Sequence, residues 1–233
     1  MKKINLNETS PRRKFLQTIA AGSAAIGVAS MLTPFQQLHA ETSVPTANPN
    51  PDEWFNKING KHKMVFDVTQ PHELFPFAWP KVFLLTNAAT GTPEKENSAV
   101  VVLRHAAIGY AMPDNMWAKY KLGEVFKAED PKTKKPSERN PFWQPKPGDF
   151  KIPGVGPVPI GINELQESGV MFCVCSMAIT VYGAVIASMN NLKPEDVQKE
   201  MTDSILPGIQ IVPSGVWAVG RAQEHGCGYC FAG

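Results

Sequence analysis

Long apolar runs, repeats and a dominant charge sign are all missing from this chain, and each absence removes a class of protein. The one stretch that invites a membrane reading, "TIAAGSAAIGVASML" at residues 18–32, is Ala/Gly-rich and about 15 residues long. That is too short and too weakly hydrophobic to span a bilayer comfortably. No segment repeats, so solenoid and propeller architectures are excluded. The formal charge is only +2, and five of the 23 basic residues but just one of the 21 acidic residues fall within residues 1–40. Beyond that point 18 basic residues face 20 acidic ones. No positive surplus remains there for nucleic acid or an anionic membrane surface.

The first 40 residues have the grammar of an address. Lys2 and Lys3 precede "SPRRKFLQ", in which Arg12 and Arg13 stand before Phe15 and Leu16. The short apolar stretch follows, and "LHA" ends it with a small residue, Ala40, at a cleavage position. The segment resembles a twin-arginine (Tat) export signal. It implies passage through the Tat translocase, cleavage near Ala40, a periplasmic location and no stable membrane span afterwards. Residues 41–61 are Pro/Asn-rich and are expected to form an extended leader. The remainder, 62–233, suits one domain with one core.

Within 62–233, β-branched runs alternate with helical patterns. Strands are expected at "KMVFDVT" (63–69), "SAVVVLRH" (98–105), "VMFCVC" (170–175), "IQIV" (209–212) and "CGYCFAG" (227–233). They read as continuous apolar runs rather than alternations, which is the pattern of strands buried on both faces. Helices are expected from Pro80 to Ala89, through "AAIGYAMPDNMWAKYKLGEVF" with Pro113 opening a new one, and over "IGINELQESG", "SMAITVYGAVIASMNN", "KPEDVQKEMT" and "PSGVWAVGRAQEHG". The fold class is α/β, a three-layer α/β/α sandwich with a five-stranded, mainly parallel sheet. Residues 127–159 hold too many prolines for regular structure and form a Pro-rich insertion, either a peripheral elaboration or a lid or oligomer arm.

In parallel sheets, ligands collect beyond the carboxyl ends of the strands. Past the successive strands lie Thr69, Gln70 and His72; Arg104 and His105; Cys175 and Ser176; and Pro213, Ser214 and Gly215. Cys175 stands at a strand-to-helix junction, where the free amides of the helix start favour a thiolate. A thiolate there could attack a disulfide or persulfide, or carry a sulfane sulfur. His105 would tune or deprotonate it, and Arg104 with the Ser214–Gly215 helix start would hold an anion. Cys173 shares the face of Cys175 but lies deeper, as a structural thiol. In a metal reading, Cys173, Cys175 and His105 would instead hold copper(I) or another soft ion. Cys227 and Cys230 enter a strand rather than a helix, which suits a disulfide or two free thiols better than redox chemistry.

Three of these stretches also carry a family resemblance: "VVVLRHAAIGYAM", "MFCVCSMA" and "LPGIQIVPSGVWAVGRAQEHGCGYCFA". From about residue 62 to 232 the chain resembles the DsrE-like family in its exported branch. The resemblance implies the same α/β/α fold, homo-oligomeric assembly and, at the position of Cys175, a cysteine that accepts and passes on a persulfide. Three functions stay open at this point. One is sulfur handling of a sulfurtransferase kind, with small sulfur species or a partner thiol protein and no required cofactor. The others are a soft-metal protein and a non-catalytic binding or assembly module with structural cysteines.

Overall fold

The computed structural model describes residues 50–152, 154 and 156–233. The twin-arginine segment, its cleavage point at Ala40 and the leader up to residue 49 lie outside the described residues.

Five parallel strands form the central sheet: β1 (His62–Val68), β2 (Asn97–Leu103), β5 (Met171–Cys175), β6 (Ile209–Val212) and β7 (Gly228–Phe231). Their order is β6-β5-β2-β1-β7, with every neighbouring pair parallel. The chain therefore steps outward from β1 to β6 and then returns to the far edge beside β1. Central β2 is buried at all seven positions, as its unbroken apolar run requires once helices cover both faces.

The helices are α1 (Phe75–Ala89), α2 (Asp114–Tyr120), α3 (Leu122–Val125), α4 (Ile162–Glu167), α5 (Ser176–Asn190), α6 (Pro194–Asp203) and α7 (Gly215–Glu224). The two-residue alternation of the strands assigns the faces. Phe66 meets Phe83 of α1, and Phe172 meets Phe77 of α1. On the opposite face Val65, Val100, Val102 and Cys173 join one buried cluster with Ala218 and Ala222 of α7. The three-layer α/β/α arrangement expected from the sequence is the observed one.

Two local departures have physical reasons. Helix α1 begins at Phe75 rather than Pro80, and Pro80 lies inside it. The missing Pro80 amide removes a bond near the first turn. That turn is still held by the Ala78 N–H to the Leu74 carbonyl at 2.8 Å and by fully buried Phe77. The leader is not extended from Asn50 onward: Pro51–Lys57 winds into a 3-10 helix and sinks Trp54 and Phe55 into the α7 side of the core. Phe55 makes an edge contact with Trp217 of α7, at 5.6 Å between ring centres.

Among its described residues the Pro-rich insertion has almost no regular structure beyond the antiparallel pairing of β3 (Lys151–Ile152) with β4 (Gly156–Pro157). It is nevertheless anchored. Fully buried Asn140 donates from Nδ2 to the carbonyls of Tyr110 and Met112, both at 2.9 Å, and accepts from the Phe142 amide at 3.1 Å. Phe142 in turn packs between Phe77, at 4.2 Å, and Phe150, at 5.0 Å. This insertion contributes its own apolar residues to the core.

Candidate functional site

At the carboxyl rim of the sheet, Cys175 is both the last residue of β5 and the N-cap of α5. Its extended backbone (φ −75°, ψ 110°) turns the sulfur back over the helix start, where Sγ accepts the Ala178 N–H at 3.3 Å. A 15-residue helix thus points its positive end at the sulfur. The residue is 6% exposed and lines a cavity at the rim. Next to it, the Met177 amide bonds the Pro213 carbonyl at 3.3 Å, which ties the start of α5 to the turn that opens α7.

Arg104 leaves β2 one strand away and is held by a carboxylate. Its Nε and Nη2 donate to the two oxygens of Asp67 at 2.6 and 2.9 Å, and the Tyr229 hydroxyl donates to Asp67 Oδ2 at 2.8 Å. Asp67 is 2% exposed, and these three hydrogen bonds offset its desolvation. The Asp67 hydrogen bonds hold the guanidinium above its ordinary pKa, and negative charge on Cys175 acts in the same direction. Arg104 and Cys175 line the same cavity.

Helix α7 closes the site from the third side. Ser214 is its N-cap and its hydroxyl accepts the Trp217 amide at 3.2 Å. A Cβ on the next residue, Gly215, would lie 2.5 Å from the Arg104 Cβ and 2.8 Å from its Cδ. Glycine is required here by that close approach of helix to arginine. His105 occupies a left-handed backbone conformation (φ +50°), unusual for a side-chain-bearing residue and enriched at functional positions. Its Nε2 pairs with the Tyr182 hydroxyl at 3.3 Å and not with the thiol.

All five residues expected at the site, Arg104, His105, Cys175, Ser214 and Gly215, line one open cavity of about 220 Å³. Val181 and Val216 supply apolar walls. The other rim residues go elsewhere. Thr69 bonds the Gly233 carbonyl through its amide and its hydroxyl, and His72 packs on Phe75 at 5.0 Å beside a different cavity.

The remaining thiols separate by environment. Cys173 is fully buried in the α7-side core, and loss of hydration pushes its thiol far up. Cys227, although also 6% exposed, is pushed up to about 11 by burial, with Lys63 opposing the shift. Burial raises the half-buried Cys230 thiol too. Cys227 and Cys230 stand as free thiols, as do Cys173 and Cys175. No three His, Cys, Asp or Glu side chains gather as a metal-ligand group among the described residues, so Cys173, Cys175 and His105 do not come together as one.

Three participants were not anticipated from the sequence: Asp67, Tyr229 and Tyr182. Asp67 had a signal, an acid in the middle of the apolar run "MVFDVT". A charge buried in a strand demands a partner.

The fold and site together define a class: a parallel α/β sandwich with a capped thiol and a clamped arginine at its carboxyl rim. Comparison with known proteins does not narrow this further. No protein-family model and no curated protein matches the chain. A similar solved structure is a protein of unknown function, MTH1491 from Methanobacterium thermoautotrophicum, at 16% identity and a TM-score of 0.39. The likeness spans 73% of this chain and 99% of that one, and carries no functional argument.

Proposed function

We propose that this is an exported DsrE-like protein that handles sulfur through Cys175, accepting sulfane sulfur and passing it to an acceptor thiol. The observation that carries the reading is the sulfur of Cys175 hydrogen-bonded to the first turn of α5, in one cavity with Arg104. A thiolate there gains from the Ala178 N–H and from the guanidinium, and a persulfide anion one sulfur longer extends into the same field.

The chemistry balances without an added redox agent. The Cys175 thiolate attacks the outer sulfur of a persulfide or of thiosulfate. The new S–S bond forms as the old one breaks, and a thiolate or sulfite leaves with the electron pair. An acceptor thiolate then removes the outer sulfur in the same way and restores Cys175. Arg104 is suited to the sulfite oxygens of the donor or to the persulfide charge, with Asp67 and Tyr229 as positioning residues. His105 stands at the cavity mouth, engaged by Tyr182, and is suited to proton exchange with the departing thiol.

Intact-mass measurement after incubation of reduced protein with thiosulfate, and separately with polysulfide, tests this. The expected result is a single added sulfur, about 32 Da, that maps to Cys175 and is absent from Cys175→Ser. Uptake by the serine variant, or no uptake by the parent, overturns the reading.

A further inference from the structure

A second cavity, of about 410 Å³, is built mainly by the Pro-rich insertion against residues 71–74 after β1. It shares no residue with the thiol cavity. Its volume falls in the range of small-molecule sites.

Tyr110 lines this cavity and is 2% exposed. Its ring is packed by Phe77, Trp117 and Phe142, at 5.2, 5.7 and 5.4 Å between centres. Its carbonyl is bound by Asn140. Its hydroxyl has no hydrogen-bond partner among the described residues. The residue itself forms part of the cavity wall. A buried phenol is ordinarily paired, because leaving the donor unmade forfeits its hydration without return.

Most of the charges that line the cavity are also uncommitted. Asp149 is taken up by Lys132 at 2.7 Å and by the Lys146 amide at 3.1 Å. Lys127, Lys134 and Lys151 line the cavity with no side-chain partner among the described residues, and so do Glu73 and Glu129. Three free ammonium groups against two free carboxylates leave a net positive wall that still offers acceptors. Such a lining suits a molecule with an oxyanion at one end and hydrogen-bond donors at the other.

We propose that the insertion forms a binding site for a small organic acid carrying hydroxyl or amino groups. The Tyr110 hydroxyl donates to its carboxylate, Lys127, Lys134 and Lys151 meet the negative charge, and Glu73 and Glu129 accept from the donors. This site does not rest on the sulfur chemistry of Cys175. It gives the insertion a use that its firm anchoring through Asn140 and Phe142 would serve, since a preorganised wall lowers the ordering cost of binding.

Isothermal titration of the full chain with L-malate, L-glutamate and inorganic phosphate, each alone, tests the proposal. One of the two organic acids is expected to bind with a Kd below about 1 mM, and phosphate at least about tenfold more weakly. Tyr110→Phe deletes only an unpaired hydroxyl, so thermal unfolding should be unchanged or shifted upward while organic-acid affinity falls at least about tenfold. Cys175→Ser should bind like the parent, which separates this site from the thiol reading. Absence of binding by both organic acids, phosphate binding as tight as theirs, or full affinity in Tyr110→Phe overturns the proposal.

Discussion

Replacing Asp67 by Ala tests the clamp on which the rim site depends. In the native protein Asp67 accepts from Arg104 Nε, Arg104 Nη2 and the Tyr229 hydroxyl at 2.6, 2.9 and 2.8 Å. The substitution strands a guanidinium and a phenol at once. Breaking a fully buried pair by removing one partner destabilises by about 3–5 kcal/mol. The Arg104 side chain keeps 28% of its surface, so water recovers part of that, and about 2–3 kcal/mol is the expected loss. Tyr229→Phe removes one hydrogen bond to a charged acceptor from an exposed ring, worth about 1 kcal/mol. In urea, with a slope of about 2 kcal/mol per M, Asp67→Ala should lower the unfolding midpoint by about 1–1.5 M at unchanged slope. The double variant should lose less than the sum of the two singles, because both act through one carboxylate. A midpoint within about 0.25 M of the parent for Asp67→Ala, or strict additivity, would refute the clamp.

Cys175 and Cys227 have the same 6% exposure, so residue exposure alone predicts no difference between their alkylation rates. With limiting iodoacetamide at pH 8 and peptide mass analysis, Cys175 should label well before Cys227, whose thiol is pushed up to about 11. Labelling in the reverse order contradicts the role given to the α5 start. Because folding raises the Cys227 thiol from 9.0 to about 11, its contribution to stability is intact below pH 9 and is lost as pH rises through about 11. Cys173 adds to the same decline. Thermal unfolding followed from pH 8 to 11 should fall less steeply for Cys227→Ala than for the parent. Gly215→Ala drives a methyl to 2.5 Å from the Arg104 Cβ, a backbone-proximal atom that cannot swing away. It should cost about 1–3 kcal/mol in chemical unfolding and slow Cys175 persulfidation as the guanidinium is displaced.

Local sequence determined the elements of this protein to a large degree. The runs "SAVVVLRH" and "VMFCVC" identified themselves as interior parallel strands because a strand covered on both faces favours apolar residues at successive positions. Ser214, Gly169 and Gly226 marked helix ends, the first through a side-chain cap and the glycines through positive φ of 90° and 87°. Since parallel strands all point one way, residues just past them share a rim, and that rule alone assembled Arg104, His105, Cys175, Ser214 and Gly215.

Tertiary structure decided what those residues meet. Tyr229 lies 162 positions from Asp67 and reaches it only because the chain returns to pair β7 with β1, an edge choice that no local pattern encodes. Tyr182 takes His105 across 77 positions for a related reason: the helix after β5 packs beside the turn after β2. The insertion misled in the same way, since a Pro-rich composition specifies the absence of regular hydrogen bonding but not the depth at which Asn140 and Phe142 lodge. Secondary structure and rim membership follow from short-range backbone sterics and hydrophobic period. Clamps, pairings and cavities follow from which distant surfaces exclude water together, and only the folded chain contains that information.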